Sequence, residues 1–72
     1  MEKSILHPLR LRRLEWGLSQ HALSFLTGVP QFKICYYEKG YSVLKEEQKR
    51  RIADALETPV RELFPEAAKD GR

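Results

Sequence analysis

Three glycines divide the first forty residues into short segments, and their spacing restricts the fold more than any other feature of the sequence. They are Gly17, Gly28 and Gly40. Each segment begins with a residue that favours a helix N-terminus: Pro8 and Pro30 suit a first turn, and Ser19 suits an N-cap. Apolar residues recur at helical spacing in the first segment, and glycine is common just past a helix end. The sequence therefore predicts three short helices, over residues 8–16, 19–27 and 30–39.

Two further helices are predicted in the C-terminal part of the chain. Glu46 and Glu47 lie in the first turn of a helix expected over about residues 45–57, where negative charge is favoured by the helix dipole. The pair Thr58-Pro59 is typical of a cap and a first-turn proline, so a short helix is expected over residues 60–64. No alternating apolar pattern of strand length occurs. The expected class is all-α, with five helices.

The small size of the chain limits how its fold can be stabilised. Its 72 residues form one domain, expected over residues 1–65 and followed by a polar tail over residues 66–72. The single Cys35 excludes an internal disulfide, and two separated histidines do not make a metal site, so neither a metal nor a cofactor is expected. Helix packing or a second copy of the chain must therefore supply the stability.

Charge and hydropathy indicate which partners and which cellular compartment the sequence favours. The formal net charge of +3 favours a polyanionic partner, although by itself it decides little. No stretch approaches the roughly 18 apolar residues of a membrane span, and the N-terminus lacks the apolar run of a signal peptide, so a cytoplasmic protein without membrane contact is expected. No nucleophile with its base, no paired carboxylates and no phosphate-binding glycine loop are recognisable, so the sequence predicts neither an enzyme nor a small-molecule ligand.

An ordered set of short motifs runs along the chain from about residue 8 to residue 64. The set comprises Gly17-Leu18-Ser19-Gln20, Leu23, Gly28-Val29, Ile34, Glu38-Lys39-Gly40, Ala53-Asp54-Ala55-Leu56, Val60 and Leu63-Phe64. In this order and spacing the chain resembles the phage Cro and repressor type of helix-turn-helix domain, the bacterial xenobiotic-response-element (XRE) family. The resemblance implies a five-helix, lambda-repressor-like DNA-binding fold, in which helices 2 and 3 form the helix-turn-helix and helix 3 enters the major groove.

Helix 4 departs from the pattern of that family. Glu46, Lys49 and Arg50 stand where the family commonly has apolar residues. We therefore expect helix 4 either to begin later or to pack only through its C-terminal half. Its basic run, Lys49-Arg50-Arg51, is expected to be solvated rather than to contact DNA.

Helix 3 has two distinct faces when its residues are placed at about 100 degrees each. Ile34 and Tyr37 fall on the side expected to face the core. The residues predicted to contact DNA bases, called the reading face below, are Gln31, Phe32, Lys33 and Tyr36. Two aromatic residues one turn apart on an exposed helix face are uncommon, so this face calls for a partner.

Each residue of the reading face has chemistry that suits a base edge. The amide of Gln31 can pair with adenine, Lys33 can donate to guanine acceptors, and Phe32 can pack against thymine methyl groups. Tyr36 can reach a base or a phosphate. The alternative is that Phe32 and Tyr36 lie against a neighbouring helix or a second protein chain.

Residues around helix 3 are expected to hold phosphates and to fix its position. The motif implies phosphate contacts at Gln20 and Lys39, and at Ser19, for which an ordinary helix cap is the simpler role. Arg13 lies in the apolar stripe of helix 1, where a charge needs a partner. Glu38, on the inward face of helix 3, is the predicted partner, and the resemblance points the same way. The alternative is that Arg13 reaches solvent unpaired.

The sequence thus predicts a sequence-specific transcriptional regulator, a repressor that binds a palindromic double-stranded DNA operator as a homodimer. Two copies are expected because one recognition helix reads too few base pairs to be selective. Val60 and Phe64 are the predicted dimer contacts, with Phe25 as a further candidate. Alternatively, Val60, Leu63 and Phe64 all close the core of the monomer, and dimers form only on DNA. The alternative function is a protein-binding helix-turn-helix module, such as an antitoxin-like partner.

Overall fold

The structure, a computed structural model, describes residues 7–66, and within that range it contains five α-helices and no strand. The helices are α1 (Pro8–Glu15), α2 (Gln20–Thr27), α3 (Gln31–Glu38), α4 (Glu46–Ala55) and α5 (Val60–Leu63). The predicted all-α class with five helices is therefore confirmed. None of these helices is long and apolar enough to cross a membrane. The predicted domain and tail extend at both ends beyond the described residues.

Local capping signals in the sequence determine where most helices begin. Ser19 caps α2, because its Oγ accepts a hydrogen bond from the backbone N–H of Ala22 at 2.9 Å. Pro30 was expected as the first residue of the third helix, but it has an extended ψ of 140° and stands as the N-cap of α3. Pro59 takes the same place before α5. Pro30 and Pro59 therefore each stand immediately before a helix and not in its first turn.

Helix α4 ends before the predicted boundary because a left-handed residue closes its last turn. Its last residue is Ala55, and Glu57 has a left-handed backbone with a φ of 52°. The backbone N–H of Thr58 donates to the carbonyl of Ala53 at 3.0 Å, the bond pattern that ends a helix around such a residue. A glutamate therefore takes the position that glycine usually occupies.

The turn between α2 and α3 is tight, and it depends on Gly28. The φ of Gly28 is 78°, and a Cβ at this position would lie 3.2 Å from Nη1 of Arg51. That nitrogen donates to the carbonyl of Thr27 at 3.4 Å, so a side chain of α4 helps to satisfy the C-terminal carbonyls of α2. Glycine thus permits both the left-handed turn and the close approach of the arginine.

One apolar core is formed by residues from all five helices and from the turn before α3. Its fully buried members are Leu9, Leu23, Val29, Ile34, Ile52, Leu56, Leu63 and Phe64. Helix α2 packs against α3 and α4, and α5 packs against α1 and α4. On α3, Ile34 and Tyr37 are both buried, which confirms the inward face predicted for this helix.

Lys49 occupies a buried position of α4, and this explains how so charged a helix packs against the core. Its Nζ lies 3.0 Å from Oε2 of Glu66 and 5.9 Å from the centroid of the Phe64 ring. The aliphatic stem covers the core while the ammonium group reaches a carboxylate near the surface. The prediction of a solvated basic run holds for Arg50 and Arg51, which are exposed, and is wrong for Lys49.

Glu66, the first residue of the predicted tail, is held in place by Tyr37 and Lys49. The Tyr37 hydroxyl donates to the Glu66 carboxylate, with oxygen distances of 2.8 and 3.0 Å. Burial raises the pKa of Tyr37, and the hydrogen bond to Glu66 raises it further. Burial opposes ionisation of Glu66, but the contacts from Tyr37 and Lys49 outweigh it and lower the pKa of this carboxyl. The hydrogen bond between Tyr37 and Glu66 therefore ties the end of the described chain to α3.

His7 caps the first helix and also packs on Tyr37. Its Nδ1 accepts a hydrogen bond from the backbone N–H of Leu9 at 3.1 Å, and its ring centroid lies 4.7 Å from that of Tyr37. Only an unprotonated nitrogen accepts this bond. Burial lowers the pKa of His7 from its ordinary value of 6.5, against the opposing charges of Glu66 and Glu38. Folding therefore favours the neutral imidazole.

We expect the thermal midpoint of unfolding to fall when the pH is lowered from about 7.5 to about 5.5, because protonation of His7 removes the acceptor that caps α1. This stabilisation is complete above the ordinary pKa of 6.5 and is lost as the pH falls towards the lower pKa of the folded state. Asparagine caps helices without titrating, so His7→Asn should flatten this part of the profile. His21→Asn, at an exposed position of α2, is the matched control. An unchanged profile in His7→Asn would contradict this role.

Candidate nucleic-acid interface

A buried ion pair joins α1 to the inward side of α3. Nε and Nη2 of Arg13 donate to Oε2 and Oε1 of Glu38 at 2.9 and 3.0 Å, and the two side chains are 6% and 3% exposed. Bidentate bonds of this kind fix both distance and orientation. The structure thus forms the ion pair that the sequence predicts, and Arg13 does not reach solvent unpaired.

Two further groups complete the hydrogen bonding of this pair. Nη1 of Arg13 donates to the carbonyl of Leu18 at 2.8 Å, and the side-chain amide of Gln20 donates to Oε1 of Glu38 at 3.1 Å. No buried side-chain nitrogen or oxygen within residues 7–66 lacks a partner. The cluster therefore connects α1, the following turn, α2 and α3. Nothing in the sequence spacing signals that Gln20 belongs to it.

All four residues of the reading face lie on the outward side of α3. Gln31, Phe32 and Tyr36 are exposed, and Lys33 is half-buried. Phe32 is 60% exposed and Tyr36 is 48% exposed, and their ring centroids lie 6.2 Å apart in edge contact. No helix of the described chain covers these two rings. Within the described residues the two rings therefore do not lie against a neighbouring helix, and the alternative of a second protein chain stays open.

A shallow groove beside α3 brings together the residues predicted to contact phosphate. Its lining includes Arg10, Ser19, Gln20, Gln31, Cys35 and Lys39. Lys39 is exposed at the end of α3, and the Ser19 hydroxyl caps α2 as the simpler interpretation held. Arg10 was not predicted here, because no motif marks this exposed position of α1. Arg13 and Glu38 also line the groove and neutralise each other, which leaves Arg10 and Lys39 beside the positive end of the α2 dipole, an arrangement that favours an anion.

One exposed aromatic residue beside α3 was missed by the sequence analysis. Tyr41 is 74% exposed, and its ring centroid lies 6.3 Å from that of Tyr36. Its backbone N–H donates to the Tyr36 carbonyl at 2.8 Å, which folds the chain back beside the helix. Helical periodicity cannot place Tyr41, because it lies beyond the helix end. Phe32, Tyr36 and Tyr41 thus form a series of three rings in successive edge contact, called the aromatic row below.

The predicted dimer contacts need one correction. Phe64 is completely buried, and its ring centroid lies 5.5 Å from that of Tyr37, so the prediction that Phe64 forms a dimer contact is wrong. It closes the core of the monomer, as the alternative held. Val60 is half-buried and packs against the same core. Phe25, the further candidate, is 84% exposed on α2.

The fold is similar to that of a solved regulatory protein. The restriction-modification controller protein C.AhdI from Aeromonas hydrophila matches with a TM-score of 0.75 and 34% sequence identity, over 81% of this chain and 88% of that one. No family model matches the chain, and neither does any curated protein. The similarity covers about four fifths of this chain and a larger share of the neighbour.

Removing either partner of the buried ion pair should destabilise the domain by about 3 to 5 kcal/mol, because the other charge is left stranded. We expect Arg13→Met and Glu38→Gln each to lower helical circular dichroism and the urea midpoint. Arg12→Met is the matched control, since Arg12 pairs with Glu15 at 3.4 Å on the surface, where such pairs contribute less than about 1 kcal/mol.

The double variant Arg13→Met with Glu38→Leu should recover much of that loss. It should not recover all of it, because the carbonyl of Leu18 and the amide of Gln20 lose their partners. Equal losses of stability in Arg13→Met and Arg12→Met would show that the buried ion pair contributes no more than the surface pair.

Proposed function

The chain belongs to the Cro and repressor type of helix-turn-helix family, and from this premise we propose that it is a sequence-specific, double-stranded DNA-binding transcriptional regulator. The observation that carries the proposal is that the exposed reading face lies on a helix whose inward side is bonded to the rest of the fold. Arg13 and Gln20 hold Glu38 at one end of α3, while Ile34 is anchored in the core. Such a rigid helix can present its outward side chains to the major groove.

We assign base contacts to the reading face and phosphate contacts to the groove. Gln31 and Lys33 supply the hydrogen bonds, and Phe32 supplies apolar contact. At the groove, Lys39 contributes a charge and the first backbone N–H groups of α2 bind a phosphate oxygen. The side chain of Gln20 acts indirectly, because its amide is bonded to Glu38. Gln20 thus helps to set the distance between the phosphate site and the reading face.

The similarity to a restriction-modification controller supports a role in control of transcription. We propose that the chain acts as a repressor: bound across a promoter, it excludes the polymerase, and this mode needs no surface beyond the one that holds DNA. The neighbour's name says that it controls a restriction-modification system. For this chain, we propose that it regulates genes that lie next to its own operator.

The working form on DNA is proposed to be a homodimer on a palindromic operator. One recognition helix contacts only a few base pairs, and a second copy doubles the information that is read. With Phe64 buried, half-buried Val60 and exposed Phe25 are the remaining members of the predicted set of dimer contacts. Because Phe64 belongs to the core and Val60 packs against it, we expect association of free chains to be weak and DNA to promote it.

A protein-binding role is the second candidate, and one observation favours it. Phe25 and its neighbour Leu26 are 84% and 58% exposed on α2, and neither belongs to the reading face. Selection of bound duplexes from a random DNA pool distinguishes the two functions. Enrichment of a palindrome supports the regulator, whereas no enrichment together with a protein partner held at Phe25 supports the binding module.

We expect Gln31→Ala and Lys33→Ala each to weaken binding to the selected duplex by about 1 to 3 kcal/mol, and to relax preference at the base each residue contacts. Arg50→Ala, which removes a charge at an exposed position of α4, is the control for lost charge. The affinities are measured by fluorescence anisotropy at one fixed salt concentration. Parental affinity in both reading-face variants would overturn the assignment of α3.

Titration of the protein onto the selected operator should give two chains per duplex. Sedimentation of the free protein should show a monomer at micromolar concentration, because Phe64 is buried in the monomer core and Val60 packs against that core. A strict one-to-one complex on a site without two-fold symmetry would rule out the dimer.

A further inference from the structure

We propose that the aromatic row reads the 5-methyl groups of pyrimidines in the major groove, so that binding depends on thymine methyls and responds to methylation of cytosine at C5. This inference rests on the proposed function, because it names the chemistry that the same face recognises. It also adds Tyr41 to the residues that determine specificity.

The geometry of the row suits contact with several base pairs in succession. The rings of Phe32 and Tyr36 meet at an interplanar angle of 78°, and those of Tyr36 and Tyr41 at 63°. Each edge contact restrains the neighbouring ring, so the row presents a preformed surface. Spacings of 6.2 and 6.3 Å between centroids correspond to about two base-pair steps, at about 3.4 Å per step.

The phenyl ring of Phe32 leaves few alternatives on a base edge, whereas the hydroxyl groups of Tyr36 and Tyr41 can also bond to polar atoms of the groove. A phenyl ring neither donates nor accepts a hydrogen bond, so Phe32 gains nothing from the polar atoms of the groove. The apolar group that B-DNA exposes there is the C5-methyl of thymine. Cytosine methylated at C5 carries a methyl at the corresponding ring atom. The preferred ligand is therefore a duplex with 5-methylated pyrimidines under the row.

The surroundings of the row favour DNA over an apolar protein surface. Arg10 and Lys39 line the adjoining groove. The carboxylate in that lining, Glu38, is 3% exposed and is neutralised by Arg13. A partner must therefore offer apolar groups beside a line of negative charge. The major groove does so, because its methyl groups lie between two phosphate backbones.

The test uses the full chain and the duplex selected from the random pool, in which thymines are replaced one at a time by deoxyuridine. Uracil keeps every hydrogen bond of thymine and lacks only the methyl. At the positions under the row we expect about a fourfold loss of affinity for each methyl removed. Where the duplex has a cytosine at such a position, 5-methylcytosine should bind more tightly than cytosine.

Two variants assign the effect to the rings. In Phe32→Ala and in Tyr41→Ala, the difference between the thymine and uracil duplexes should vanish at one position each. Both side chains are largely exposed, so the fold is retained. Leu11→Ala, which removes an exposed apolar side chain from α1, should keep the full difference.

Failure of the inference is distinguishable from failure of the proposed function. A chain that binds a selected duplex with no loss at any uracil refutes methyl reading and leaves the regulator in place. Enrichment of no duplex refutes both. Persistence of the uracil effect in Phe32→Ala and Tyr41→Ala shows that the row does not read the methyl, and this also refutes the inference.

Discussion

The need to satisfy a buried charge underlies the position of the recognition helix. Arg13 and Glu38 are both almost fully buried, and neither is tolerated there without its partner. Their bidentate contact fixes α3 against α1, and the bond from Gln20 adds α2 to the same cluster. The two helices of the helix-turn-helix are therefore held together by a polar joint as well as by apolar contact.

A second polar contact holds the inward side of the same helix. Tyr37, the residue before Glu38, bonds to Glu66, which in turn contacts Lys49 of α4. Adjacent residues of α3 are thus tied to different elements, Glu38 to α1 and α2, and Tyr37 through Glu66 to α4. Rotation of the helix about its own axis would break these bonds. The two contacts therefore fix which side of α3 carries Phe32 and Tyr36.

Features that depend on neighbouring residues were predictable from the sequence, and features that depend on distant ones mostly were not. The Ser19 cap and the glycine stops follow from local backbone chemistry, and the Arg13–Glu38 pair follows from a charge in an apolar stripe together with the resemblance. The burial of Lys49 was missed because periodicity counts lysine as polar and ignores its stem. Tyr41 was missed because it lies beyond the helix, where no periodic rule applies.

We infer that the outward side of α3 binds duplex DNA. Amide chemical shifts, followed by NMR while the selected duplex is added to the labelled chain, test this most directly. The largest changes are expected at residues 31–36, at Lys39, at Tyr41 and at the N-terminus of α2. The largest changes at Phe25 and Leu26, with α3 unaffected, would contradict it.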